Sequence, residues 1–178
     1  MIIDGWLQSA QKFVSPHFDL RPKDEEISLL VIHNISLPPA QFGGCYVEDF
    51  FCGKLDISID PYFEQIQSLR VSSHLYIRRN GEVIQFVSFD HRAWHAGKSK
   101  FKAREKCNDF SIGIELEGTD DIAYTSQQYE KLIQITKLLQ LNYPLISNQS
   151  IQGHCDIAPQ RKTDPGRSFD WGYFRSKL

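Results

Sequence analysis

The run Leu29-Leu30-Val31-Ile32 narrows the folds open to this chain more than any other feature. Four consecutive apolar residues, the last two β-branched, read as a strand buried on both faces. Such a strand needs cover on each side, which points to a sheet with layers packed against it. The run ends directly in His33-Asn34. Open α/β sheets commonly place their ligand contacts at that end of a buried strand.

The remaining signals build around it. Residues 110–118 alternate, sending Ile112, Ile114 and Leu116 to one side and Ser111, Gly113, Glu115 and Glu117 to the other. Gly113 leaves room beside Glu115 for another backbone or a ligand. Residues 71–78 and 83–87 flank Asn80-Gly81, a strong short-range hairpin signal, and His74 in the first of them reads as structural. Thr125 and Gln128 form a capping box for a helix running to about Asn142. Its Tyr129, Leu132, Ile133, Ile135, Thr136 and Leu139 stripe suits the face that covers a sheet. Short helices are expected over residues 5–14, from the Asp60-Pro61 cap to Leu69, and after Ser168. Residues 37–60 carry Pro, Gly and aromatics and read as a packed loop walling a cleft. Ile151-Gln152 reads as a short strand delivering Gly153-His154. The expected architecture is α/β (α+β): a single domain over 1–178 with a central mixed β-sheet flanked by helices.

A chain of 178 residues can bury roughly 70% of its unfolded surface in one core. Its 20 Lys and Arg against 22 Asp and Glu leave a net charge of -2, which gives no electrostatic case for nucleic acid or an anionic membrane. The four cysteines form no C-x-x-C pair and read as free thiols in a reducing compartment, Cys155 among them as a packed thiol. No apolar run approaches the ~18 residues of a membrane span, and the first residues lack the pattern of an export signal. The expected location is the cytoplasm.

The segment from Gly153 to Gly166 concentrates the chemistry: His154, Lys162 and Asp164 with two prolines between the flanking glycines. The prolines exclude a continuous helix, so His154 and Asp164 can meet only if the loop bends back. With His33 they supply two imidazoles and a carboxylate, a set suited to catalytic zinc with a fourth position for water. Glu115 then suits proton transfer, being a carboxylate midway along an apolar strand. Lys162 suits a developing oxyanion. Structural histidines, a loop Asp, a sheet Glu and a solvated Lys describe the same residues, and spacing alone does not choose between the two readings.

The motifs taken together resemble a known family. They are Ser15-Pro16, Arg21-Pro22, Val31-Ile32-His33-Asn34-Ile35-Ser36-Leu37-Pro38-Pro39, Phe42-Gly43, Ser73-His74 and Arg78-Arg79-Asn80-Gly81. Further on come Ala93-Trp94-His95-Ala96-Gly97, the run from Cys107 to Gly118, Gly153-His154, Arg161-Lys162-Thr163-Asp164-Pro165-Gly166 and Phe169-Asp170-Trp171. The chain resembles the zinc-dependent N-acetylmuramoyl-L-alanine amidases, which include phage amidases and peptidoglycan recognition proteins. Many members carry a cysteine as third ligand and a tyrosine as proton shuttle; here Asp164 and Glu115 stand in those roles. The resemblance implies Zn2+ on His33, His154 and Asp164, Glu115 as catalytic acid/base and Lys162 as transition-state stabiliser. It implies Asn34, Arg70, Trp94 and Arg161 as substrate-binding cleft residues, although ion pairs and core packing account for these four as well. The implied reaction is hydrolysis of the amide between 1,6-anhydro-N-acetylmuramic acid and the L-Ala of its stem peptide, in cytoplasmic peptidoglycan recycling. The implied protein is a monomer with a small muropeptide substrate. Action on intact peptidoglycan, or non-catalytic peptidoglycan binding, are the alternatives.

Overall fold

The structure is a computed structural model that describes all 178 residues. Its central sheet has six strands: β1 (Gln11–Lys12), β2 (Leu29–Ile35), β3 (Leu75–Ile77), β4 (Val83–Gln85), β5 (Ser111–Glu117) and β6 (Ile151–Gly153). Their order across the sheet is β6-β2-β5-β3-β4-β1. Only the β3–β4 pair is antiparallel. It is the expected hairpin, with shorter strands than the sequence suggests and Gly81 at a φ of 82° in the turn.

The four apolar residues that begin β2 are fully buried, as a strand covered on both faces must be. Leu30 and Ile32 join Ile112, Ile114 and Leu116 in the main core, under helices α3 (Ser126–Asn142) and α5 (Trp171–Ser176). Leu29 and Val31 point the other way, onto Ala96, Cys107, Phe110 and Ile157. A third apolar cluster binds the front of the molecule. There α1 (Tyr46–Phe51) and α2 (Pro61–Ile66) lay Phe50, Phe51, Phe63 and Ile66 against Tyr76, Ile84 and Phe86.

Helix α3 starts at its capping box. Thr125 Oγ1 accepts from the Gln128 amide at 3.1 Å, and Gln128 Oε1 accepts from the Thr125 amide at 3.1 Å. The Gln128 carboxamide also donates to the Ile77 and Glu117 carbonyls, so the cap fastens the helix to two strands.

Four local expectations are corrected. Residues 5–14 form no helix: Trp6–Leu7 pairs with Ile2–Ile3, and Gln11–Lys12 adds to the sheet beside β4. Amphipathic spacing is present there, but the backbone groups are satisfied by the distant strand, including Phe13 and Ser15 amides bonded to Gln85 and Phe86 carbonyls. Residues 37–60 contain α1, whose N-terminus carries no side-chain cap and so left no sequence mark. The last helix is capped by Asp170, which accepts from the Tyr173 amide, while the Ser168 hydroxyl turns to the Thr119 carbonyl. Helix α2 begins at Asp60-Pro61 as expected but stops at Ile66.

The Thr125 hydroxyl additionally donates to the Arg79 carbonyl at 2.6 Å. Thr125→Ala therefore removes a cap and a tertiary hydrogen bond. It is expected to cost about 1–2 kcal/mol, read as a lower urea midpoint with unchanged slope.

Candidate active site

Strand register brings the chemical residues to one level. Glu115 of β5 pairs with His33 of β2, and Gly153 of β6 pairs with Ile32, which sets His154 beside His33. The chain then turns into the single-turn helix α4 (His154–Ile157). The Lys162 and Arg161 amides bond back to the Ala158 carbonyl, and the Cys155 amide donates to the Asp164 carbonyl at 3.0 Å. That return puts the Asp164 carboxylate under both imidazoles, as the loop argument required.

His33 Nδ1, His154 Nδ1 and Asp164 Oδ2 form a nearly equilateral triangle with edges of 3.0, 3.0 and 3.1 Å. Ligands at the usual zinc distances would define a tetrahedral face with edges of roughly 3.3 Å, so the three atoms can hold such an ion with little adjustment. The other face of each ring is also engaged. His33 Nε2 meets His95 Nδ1 at 2.9 Å, and His154 Nε2 meets the Ala96 carbonyl at 3.2 Å. Burial pushes His33 down to about 4, so the imidazole is neutral and able to bind a metal at physiological pH. In the metal-free protein burial opposes ionisation of Asp164, yet the adjoining His154 and His33 rings outweigh it and hold the carboxyl well below the usual range. The donor set is charge-poor, borderline-soft and buried, which fits a divalent transition metal.

Glu115 is 8% exposed, and its Oε2 has no hydrogen-bond partner in the protein. Burial and the neighbouring Asp164 charge raise its carboxyl well above the ordinary value, with Lys162 opposing them. Glu115 lines the cleft, so a carboxyl with a raised pKa and little protein hydrogen bonding stands where a water or a substrate proton can reach it. Gly113, two residues earlier, leaves its space to a side chain: a Cβ there would lie 2.5 Å from His95 Cγ. His74 is structural, as expected, accepting from the Gly113 amide and contacting the His91 carbonyl.

These groups open on a cleft of about 700 Å³. Asn34, Trp94, Arg161 and Lys162 line it, with Phe50, Tyr62 and Ile66 from α1 and α2 on the apolar side. Asn34 donates to Asp120 at 2.9 Å, and the Trp94 indole donates to Asp19 at 3.2 Å. Arg161 donates to the Ala96 and Lys98 carbonyls, so its guanidinium is partly occupied by the protein. Arg70 is the exception among the expected residues. It borders a smaller hollow with Pro16 and His17 and donates to the Gln67 and Leu69 carbonyls in the turn that follows α2. His95 and Asn108 went unassigned by sequence reasoning; their only mark was membership of the runs Ala93 to Gly97 and Cys107 to Gly118.

A pH signature follows from Glu115. In the metal-free protein its folded-state carboxyl keeps its proton above the pH at which the unfolded chain loses one. Stability therefore falls as pH rises from about 4.3 toward the raised folded value. Glu115→Gln removes that loss, so its melting temperature relative to wild type is expected to climb between pH 4 and pH 8. A constant offset across that range would contradict the burial of the charge.

Comparison with known proteins agrees with this geometry. Over 177 residues the chain is 58% identical to the 1,6-anhydro-N-acetylmuramyl-L-alanine amidase AmpD of Citrobacter freundii, covering 99% of this chain and 94% of that protein. It is 55% identical to AmpD of Escherichia coli K12 over 98% of this chain and 95% of that one. A crystal structure of a selenomethionine derivative of AmpD superimposes with a TM-score of 0.97 at 56% identity, covering 100% of this chain and 99% of that chain. The E. coli amidase AmiD, solved with anhydro-N-acetylmuramic acid-L-Ala-D-γ-Glu-L-Lys, superimposes at 0.62 with 28% identity, over 88% of this chain and 60% of that one. Residues 23–167 match the N-acetylmuramoyl-L-alanine amidase family, and the chain belongs to it.

Proposed function

We propose that this protein hydrolyses the amide joining 1,6-anhydro-N-acetylmuramic acid to the L-Ala of its stem peptide, using Zn2+ held by His33, His154 and Asp164. The observation that carries the reading is the triangle of three donor atoms with Glu115 registered beside it on the adjoining strand. The relatives of similar length are named for this activity, and AmiD was solved with a substrate of this class. A zinc ion bound there would act as Lewis acid toward the amide carbonyl and acidify a water.

The chain's own residues do the rest. Glu115, which lines the cleft, takes the proton of the attacking water and returns it to the departing amide nitrogen. Its carboxyl ionises more readily beside a dication than in the metal-free protein, which brings a buried base into its working range. Lys162 offers its ammonium to the carbonyl oxygen as negative charge develops there. Trp94 and the apolar wall of Phe50 and Tyr62 suit the sugar, and Asn34 and Arg161 suit the polar peptide. No helix is long and apolar enough to cross a membrane. The likeness to the AmpD relatives supports the further reading of a monomeric recycling enzyme acting on small muropeptides in the cytoplasm.

Anhydromuropeptide and intact sacculi, offered side by side with and without a chelator, test the reading by mass spectrometry of released peptide. Chelator-sensitive release from the anhydromuropeptide is expected; release from sacculi alone would overturn the substrate assignment. Glu115→Gln is expected to abolish turnover while zinc remains stoichiometric, and Lys162→Met to lower kcat about 10²–10³-fold with zinc retained. Equal zinc loss in Glu115→Gln would contradict its role as base.

A further inference from the structure

Two hydrogen-bonded segments behind the metal triangle have no part in the chemistry above. They are the dipeptide His95–Ala96 and Asn108, which lies in the short helical turn Cys107–Asp109. Each touches a ligand or holds a residue that does. We propose that His95–Ala96, clamped by the Asn108 carboxamide, sets the ring tautomer and orientation of both metal-ligating histidines. The proposal rests on the reading that the triangle holds zinc.

The argument follows the protons. A carbonyl oxygen only accepts, so the 3.2 Å contact between His154 Nε2 and the Ala96 carbonyl places the proton of a neutral ring on Nε2. That leaves Nδ1 with a bare lone pair, and Nδ1 is the atom that faces His33 and Asp164. Arg161 Nη2 also lies 3.4 Å from His154 Nε2, but its much shorter bond, 2.6 Å, goes to the same carbonyl, so the oxygen is held from two sides. For His33 the partner is a side chain. His33 Nε2 lies 2.9 Å from His95 Nδ1, and His95 Nε2 lies 3.1 Å from Ser111 Oγ. Two proton placements satisfy this row. Only one, with His95 Nδ1 accepting and its Nε2–H donating to Ser111, leaves His33 Nδ1 free for a metal.

The dipeptide has little freedom to do otherwise. Asn108 Oδ1 accepts from the His95 amide at 3.1 Å and from the Ala96 amide at 2.7 Å, which fixes the two peptide planes that lead up to the Ala96 carbonyl. The His95 ring packs onto Gly113, in space that any Cβ would fill. His33 and His95 meet edge to face with ring centroids 5.0 Å apart. The runs Ala93 to Gly97 and Cys107 to Gly118 thus contribute one supporting shell to both ligands, and His95 and Asn108 are positioning residues.

The test measures zinc affinity by competition with a chromophoric chelator, in wild type, His95→Phe, His95→Asn and Asn108→Ala, each checked for folding by its melting curve. His95→Phe keeps a flat ring without an acceptor and is expected to bind zinc about 10–100-fold more weakly, with Asn108→Ala in the same range. His95→Asn places a carbonyl oxygen near the former Nδ1 and is expected to recover most of the loss, which a purely structural role would not predict. In the zinc-loaded wild type, ¹⁵N spectra of the imidazoles should place the His95 proton on Nε2 and show coupling across the His33 Nε2–H···Nδ1 His95 hydrogen bond. A His95 proton on Nδ1 would overturn the proposal, and so would wild-type affinity in folded His95→Phe and Asn108→Ala. If His95→Phe does not fold, Asn108→Ala and the wild-type spectrum decide. Failure of wild type itself to bind zinc would overturn the metal reading first, and is distinguishable from all of these.

Discussion

Parallel pairing of Leu29–Ile35 with Ser111–Glu117 on one side and Ile151–Gly153 on the other is the constraint on which the site depends. Because successive side chains along a strand point to opposite faces, a one-residue slip would move Glu115 or His33 into the main core. The fully buried Leu30, Ile32, Ile112 and Ile114 oppose such a slip, since it would turn their side chains away from α3. The hydrophobic core and the catalytic level are thus two faces of one register. The apolar face fixes the ladder, and the ladder fixes the distance between a base and two metal ligands.

The polar face of that sheet is unusually rich in groups that are costly to bury. His33, His74, His95, His154 and Glu115 are all buried, and so is the hydroxyl of Ser111. Burial keeps His74 and His95 well below the ordinary imidazole value, so the layer stays neutral. Besides Arg161 on the Ala96 carbonyl, one more guanidinium borders the layer: Arg21 is shifted down to about 10 by burial and faces carbonyls of Phe89, Asn108, Asp109 and Ser111 in place of a carboxylate. Those carbonyls satisfy its donors while tying the first strand-poor segment to the start of β5. Two carboxylates meet this layer at the triangle, Asp164 as one of its corners and Glu115 beside it. That placement suits a cavity meant to receive a dication, because the ion offsets what the protein leaves unbalanced.

Much of this was legible in the sequence where the signal is local. The β2 run, the alternation of β5, the Thr125–Gln128 box and the Asn80-Gly81 turn each rest on neighbouring residues, and each stands in the structure. Residues 5–14 were misread because what decides them is pairing to a strand some seventy positions away, which periodicity cannot express. Helix α1 lacked a cap to announce it, and the last helix takes its cap from Asp170, two residues after the Ser168 expected to supply it. At the site, His33, His154 and Asp164 were legible as residue types, but their convergence depends on tertiary return of the loop. Arg70 was expected in the cleft, yet its side chain folds back on the turn that follows α2. His95 and Asn108 act through other residues, and such a role leaves no chemical type by which to find it.

The central claim is that two imidazoles and one carboxylate, without a thiolate, form the metal centre. Cys155 makes this a real choice, since it adjoins His154 and is only half-buried. X-ray absorption at the zinc K-edge, on protein loaded with one equivalent of zinc, measures the ligand set directly. The account predicts nitrogen and oxygen scatterers alone at about 2.0–2.1 Å, with the imidazole outer-shell pattern of two histidines. A sulfur scatterer at about 2.3 Å, or a spectrum of hydrated zinc lacking the imidazole pattern, would contradict it.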